Sequence, residues 1–245
     1  MNMSYRIKFS NVFVNYRIPS EKIGTFKEYM IKMVQGKIHH RTFAALQNIN
    51  LEIYHGEVFG LIGRNGAGKS TMLKIIARVL TPSSGRIEVN GNVSPMLELG
   101  AGFHPELSGR ENIFLNGALL GFSKHEMDEK FNRIVEFAEL ENFIDAPMRT
   151  YSSGMWARLG FAVATDSQPE ILLVDEVLAV GDEQFQQKCF ERIESFQKDG
   201  TTIIIVAHNM STISQKCDRV CWIDHGEAKF IGLPDEAIQK YRLSQ

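Results

Sequence analysis

Short apolar runs alternate with longer helical stripes along this chain, and their periods set the expected elements. Residues 5–16 and 49–54 carry the extended pattern of strands. Val58 to Ile62 is a fully apolar run of strand length, followed by the glycine-rich stretch GRNGAGKS at 63–70 and a helix from Ser70 to Val79. Asn90-Gly91, after Arg86 to Val89, predicts a hairpin turn. From about 108 to 167 the period becomes helical. Ser108 with Glu111, and Ser123 with Glu126, are capping boxes that each open a helix. In the second of these, Met127, Phe131, Ile134, Val135 and Ala138 fall on one face. Strands return at 171–175 and 202–207, alternating with helices over about 182–198 and 210–217. A hairpin across Asp224 to Glu227 and a helix from Asp235 follow. Alternating strands and helices predict an α/β core, so the block at 108–167 reads as a helical subdomain inserted into it.

Composition narrows the class. A chain of 245 residues that is 44% hydrophobic and 23% charged buries a real core, as one large domain or two modest ones. A net charge of -2 provides no global drive toward nucleic acid. Cys189, Cys217 and Cys221 are too scattered for a disulfide framework, and a reducing, cytoplasmic setting is expected. Cys217 and Cys221 are spaced to share a helix face, but no second ligand pair accompanies them. The longest apolar runs are strand-sized, well short of the ~20 residues that cross a bilayer. The N-terminus lacks a signal-peptide core. A soluble chain is expected, with any membrane role exercised through a partner.

Four stretches then carry chemistry, in order: GRNGAGKS, YSSGM at 151–155, ILLVDE at 171–176, and His208 after an apolar run. The first has the form of a phosphate cradle, whose glycines let successive N–H groups point at phosphate oxygens. By chance it arises in roughly one chain of this length per hundred. In such a loop Lys69 reaches the β- and γ-phosphates of ATP and the Ser70 hydroxyl ligates Mg²⁺. Asp175 ends a strand where it can hold the same metal, and Glu176 can polarise the attacking water. Those two acids would otherwise simply cap a strand end. His208 emerges at the same sheet edge, to contact the γ-phosphate or to serve as a satisfied structural histidine. Ser152, Ser153 and Gly154 open a helix and so form a second anion-seeking site, or else a plain serine cap. Apolar residues of that helix, among them Trp156, Leu159, Ala162 and Val163, are expected against the core. One nucleotide does not need two such sites, so the economical arrangement is a head-to-tail homodimer in which each copy closes on the other's γ-phosphate.

With the motifs in this order, the chain resembles an ABC-transporter nucleotide-binding subunit over nearly its whole length. Within that superfamily, LELGAGFHPELSGREN at 97–112, YSSGMWARLGFAVA at 151–164 and DEVLAVGDEQFQQKC at 175–189 are similar to the polysaccharide-export branch. The resemblance implies one P-loop NTPase cassette over 1–245, with a RecA-like core, an antiparallel β subdomain and a helical subdomain at about 103–167. It implies phosphate contacts from Gly63, Arg64, Asn65, Gly66, Ala67, Gly68, Lys69, Ser70 and Thr71. Ser70 and Asp175 would hold Mg²⁺, Glu176 would be the catalytic carboxylate and His208 the switch. Asp182 would lie in the dimer-crossing loop, and Tyr16, or Phe43 in its place, would stack on adenine.

Two departures from the family pattern stand out. The usual LSGGQ-like signature here has Tyr151, Ser153 and Met155 where leucine, glycine and glutamine are usual. The glutamine that links Mg²⁺ to the membrane partner has no match; Glu98 or Leu99 occupies its region, with Glu98 a candidate metal ligand. A basic amphipathic insert at 17–45 places Ile23, Phe26, Met30 and Met33 along one helical face, with six Lys/Arg and two Glu between Arg17 and Arg41. It is either a solvated helix over the core or a lid near the membrane partner or lipid headgroups.

The implied function is ATP hydrolysis that drives lipid-linked polysaccharide, O-antigen first and capsule or teichoic acid next, across the bacterial inner membrane. The implied complex is two cassettes with two integral ABC-2 type permease subunits, the cassettes sitting on the cytoplasmic face. A non-transport ATPase acting on nucleic acid or ribosomes is the distant alternative, and it would need coiled coils or linked cassettes. Some relatives append a carbohydrate-binding domain; a sequence that stops at Gln245, just past the cassette, is expected to be either of the shorter type without that domain or cut short before it.

Overall fold

The computed structural model describes residues 4–19, 40–96, 99–175, 181–207 and 209–244. Strand β1 (Tyr5–Pro19) lies between β2 (His40–Tyr54) and β4 (Ser84–Val89) in a three-stranded antiparallel sheet. Its register runs from Tyr5 opposite Tyr54 to Pro19 opposite His40, so both strands extend past the predicted 5–16 and 49–54. Residues 17–19 and 40–45 of the expected insert are therefore strand. Its stripe Ile23, Phe26, Met30 and Met33 lies outside the described residues.

The second sheet has six strands in the order β5 (Val93–Met96), β6 (Ile171–Asp175), β7 (Thr202–Val206), β3 (Val58–Ile62), β8 (Arg219–Asp224) and β9 (Glu227–Gly232). All neighbours are parallel except β8 and β9, which form the predicted hairpin with Asp224 opposite Glu227. Every residue of β3 and β7 is buried, as a parallel sheet covered on both faces requires.

One face packs on the three-stranded sheet and α1 (Lys69–Ile76), through residues such as Ile7, Leu46, Phe59 and Met72. The other packs on α5 (Glu183–Lys198), α6 (Met210–Lys216) and α7 (Pro234–Leu243), through Phe185, Ile205, Ile213 and Val220. Among the described residues no helix is long and apolar enough to cross a membrane.

Helices α2 (Gly109–Leu119), α3 (Lys124–Ala138) and α4 (Ser153–Ala164) build a third apolar cluster of their own. Both predicted capping boxes form, and all five predicted apolar residues of α3 are buried. Helix α4 packs against the core as expected: Leu159, Ala162 and Val163 are buried in the helical cluster, and Trp156 packs at its edge. Phe161 takes the opposite side and enters the sheet core, stacked on Phe137 with ring centres 5.8 Å apart. One helix thus belongs to both halves, because its apolar residues span more than one face.

Two further expectations are corrected. Asn90-Gly91 does not close a hairpin: β4 pairs with β1, whereas β5 pairs in parallel with β6 in the other sheet. Glu170 supplies the tertiary reason, since its Oε2 accepts the Asn92 N–H at 2.9 Å and draws the chain across to β6. Cys217 follows the end of α6 and Cys221 lies in β8, so they share no helix face. Both are buried free thiols, and burial pushes each up to about 12.

Candidate nucleotide site

Strand order places the expected machinery along one edge. β7 lies between β3 and β6, with Leu61 opposite Val206 and Val206 opposite Asp175. The loop after β3 and the acid ending β6 therefore reach the same rim, at the carboxyl ends of parallel strands where α/β folds bind ligands.

The loop at 63–68 is held from behind. Gly226 donates its N–H to the Ala67 carbonyl at 2.9 Å, while Gln47 donates to the Gly226 carbonyl at 2.7 Å. Gly68, which precedes α1, has φ 116°; a Cβ there would fall 2.8 Å from both the Ala45 oxygen and the Leu46 Cδ2. Only glycine lets the loop lie that close to β2. Lys69 is 8% exposed, and its ammonium donates to the carbonyls of Gly63 at 2.7 Å and Arg64 at 3.1 Å. Burial pushes its pKa down, and the Asp175 carboxylate pulls it back. A cation is thus kept in a partly dry cradle with the Asp175 carboxylate acting on it.

The cleft in front of the loop has a volume of about 450 Å³. Asn65, Gly66, Gly68, Lys69, Ser70 and Thr71 line it with Asp175, whereas Gly63, Arg64 and Ala67 shape the loop without lining the cleft. Ser70 is exposed and Asp175 half-buried, giving two oxygen donors of the kind that suits Mg²⁺. Tyr16 and Phe43, paired across β1 and β2, close one end. Tyr16 packs on the sheet core, and Phe43 is 50% exposed. Phe43 therefore has the larger free ring face.

The second anion-seeking element opens elsewhere. Ser152 adopts extended backbone ahead of α4, and its hydroxyl accepts the Met155 N–H at 3.2 Å. Ser152 is thus the helix cap, and Ser153, the first residue of α4, is exposed. These residues and Gly154 line a cleft of about 710 Å³ with Phe143, Gly181 and Asp182, and among the described residues it shares none with the first. Asp182 caps α5 through the Phe185 N–H at 2.9 Å, and that bond, followed by the Arg158 guanidinium, holds its carboxyl below the usual range. Arg158 and Glu139, also in this cleft, escaped the sequence reading; a cation one turn beyond Gly154 was the available signal. Glu98, Glu176 and His208 lie outside the described residues.

The family model for the ABC transporter matches residues 46–179. The O-antigen export system ATP-binding protein RfbB of Klebsiella pneumoniae is 46% identical over 238 residues, covering 96% of this chain and 97% of that protein. RfbB of Myxococcus xanthus is 48% identical over 221 residues, 89% of this chain but 51% of the relative, so this chain spans about half of that longer protein. Among solved structures, a bacterial ABC transporter cassette, MJ0796, determined as a dimer, superposes with a TM-score of 0.72 at 24% identity, covering 93% of this chain and 98% of that one. That likeness shows the fold: a P-loop cassette with a RecA-like core and a helical subdomain.

Proposed function

Because this chain belongs to the ABC transporter family and is related to the RfbB- and TagH-type polysaccharide-export ATPases, we propose that it powers export of a lipid-linked polysaccharide, O-antigen foremost, across the cytoplasmic membrane. ATP binding and hydrolysis are the activity typical of the cassette. The observation that carries the fuller reading is the pair of anion-seeking helix starts that open on separate clefts. In this reading the loop from Gly63 to Thr71 takes the phosphates of ATP, with Lys69 on the terminal ones. Ser70 and Asp175 hold Mg²⁺, whose charge offsets that of the phosphates. Glu176 orients the attacking water and His208 senses the γ-phosphate. Phe43, with Tyr16 behind it, covers adenine.

Ser152, Ser153 and Gly154 close on the nucleotide held by a second copy, and Asp182 lies at the crossing between copies. A dimer of this kind is consistent with the dimeric cassette that the chain resembles. Partner permease subunits, two with two cassettes, supply the membrane path. A surface suited to them is the set of exposed leucines at the end of α2, Leu115 and Leu119 on the helix and Leu120 just after it, with Leu119 beside Gly102. The cassettes then sit at the cytoplasmic face.

Teichoic acid is the second cargo reading, favoured by TagH of Shouchella clausii, 45% identical over 202 residues. The test is Glu176→Gln. Light scattering with Mg²⁺ and ATP should show this variant as a stable dimer that retains uncleaved ATP. Normal turnover would refute the role of Glu176, and a strictly monomeric ATP-bound form would refute the sandwich. Cells carrying the variant should accumulate their polysaccharide inside, and the polymer that accumulates identifies the cargo.

A further inference from the structure

Arg158 lies on α4 four residues beyond Gly154, one turn behind the start of the helix. Its guanidinium divides between two carboxylates on two other elements. One nitrogen donates to Glu139 Oε2 at 2.8 Å, and another donates to Asp182 Oδ2. Its plane lies over the Phe185 ring, 4.8 Å from the centre. Glu139 is the residue at the C-terminal end of α3, with φ 57°, and its second oxygen accepts from Lys188 of α5 at 2.7 Å. Asp182 uses its remaining oxygen to cap α5. A single side chain, 17% exposed, therefore ties the start of α4 to the end of α3 and to the loop that enters α5.

The loop is shaped to receive it. Gly181 has φ +73°, and a Cβ there would meet the Arg158 Nε at 3.1 Å. The rest of α4 does not depend on this clasp. At its far end Phe161 meets Phe185 edge-on at 6.3 Å, and Arg192 donates to the Thr165 carbonyl at 2.9 Å. Removing the guanidinium would release the serine end of α4 from the Asp182 loop and leave the helix in the fold.

We infer that Arg158 is a positioning residue that makes the Ser152–Gly154 face and the Gly181-Asp182 loop move as one body, and so couples the two ATP sites of a dimer. The inference rests on the two-copy reading above. The serine face of one chain touches the nucleotide held by the other chain. The Asp182 loop follows, along the chain, the strand that ends in Asp175 at the chain's own nucleotide. An anion pulling on α4 at the first site is therefore felt at Asp182, at the head of α5, through the clasp. Coupling of this kind needs a contiguous contact whose arrangement both sites bias, and the clasp supplies one. Arginine suits the task because its planar fork reaches two carboxylates at once, whereas lysine presents a point charge on a flexible stem.

The experiment uses the full chain as wild type, Arg158→Met and Arg158→Lys. It measures ATP affinity at low protein concentration, steady-state hydrolysis against ATP concentration, and thermal melting. Wild type should show a Hill coefficient approaching about 2 for two coupled sites. Both variants should keep the single-chain ATP affinity, lose cooperativity to a Hill coefficient of about 1, and fall about tenfold in kcat. Arg158→Lys keeps charge and stem, so it serves should Arg158→Met melt early.

Unchanged cooperativity and kcat in a folded variant would overturn the inference, as would a wild type that dimerises with ATP yet hydrolyses it without cooperativity. A variant that also loses single-chain affinity would overturn it too, since among the described residues the clasp shares none with the cis cleft. A wild type that never dimerises with ATP defeats the underlying sandwich instead, and light scattering separates that case.

Discussion

Replacing Lys69 by methionine should separate nucleotide binding from folding, because the bonds its ammonium makes within the chain and those it would make to a phosphate differ in net worth. In the free protein the ammonium makes two bonds, to the carbonyls of Gly63 and Arg64. Hydrogen bonds to a charged group contribute about 1.5–3 kcal/mol each, but desolvating that charge takes back most of the gain. Burial does push the Lys69 pKa down, which is the mark of that desolvation cost. Methionine keeps the stem and removes the charge, so the expected change in stability is about 1 kcal/mol, or a melting shift of about 2–4 °C for a chain of this size.

Binding is affected far more. A charge-assisted contact to a phosphate is worth about 2–3 kcal/mol, so ATP affinity should fall about 30- to 150-fold. Equilibrium titration with a fluorescent ATP analogue, beside a thermal melt of the same sample, reads both quantities. Undiminished affinity in a well-folded Lys69→Met protein would refute the cradle. A loss of affinity that merely tracked a collapse in melting temperature would refute the separation argued here.

The aromatic end of the cleft gives a paired expectation. Phe43→Ala should weaken ATP about three- to tenfold, the value of one aromatic stack, without shifting the melt. Tyr16→Ala should lower the melting temperature as well, because that ring packs on the sheet core; the opposite pattern would exchange their roles. Acid stability should depend on Asp166, whose side chain is 6% exposed between Lys130 and Arg133. Burial opposes its ionisation, but the bonds from Arg133 and Lys130 prevail and hold its carboxyl below the ordinary value. Its contribution is therefore complete above an unfolded pKa of about 3.9 and is lost as the pH falls through the lower folded value. Asp166→Asn should cost about 2 kcal/mol at neutral pH and flatten the acid limb of the stability curve below about pH 4. An unaltered limb in denaturant titrations would show that other carboxylates govern it.

The sequence was most legible where local chemistry and period agree. Both capping boxes and the apolar face of α3 form as read, because a serine, a glutamate three residues on and a helical stripe are satisfied within one segment. The apolar strands β3, β6 and β7 were equally plain, since a sheet covered on both sides leaves no alternation to misread. What stayed hidden depends on partners distant in the chain. Asn90-Gly91 has the chemistry of a hairpin, yet Glu170, some eighty residues on, takes the Asn92 N–H and sends β5 to the other sheet. Arg158 reads as one more helical cation until α3 and α5 bring Glu139 and Asp182 to it.

The signature stretch shows how its departures from the family pattern can coexist with anion binding. Tyr151 stands where leucine is usual, and its phenol donates to the Phe143 carbonyl at 2.8 Å, pinning the loop before α4. Met155 stands where glutamine is usual and packs against the helical cluster. Ser152 caps the helix through its hydroxyl oxygen. The donors open to an anion are the first N–H groups of the helix and the O–H groups of Ser152 and Ser153, both exposed residues, because the cap uses Ser152 only as an acceptor. Backbone N–H groups at a helix start attract phosphate regardless of which side chains follow. Loss of the glutamine therefore leaves the anion-seeking element whole, and the serine adds a donor that glycine lacks. The aim of that element then depends on what orients the helix: Tyr151 on one side of the serines and Arg158 on the other.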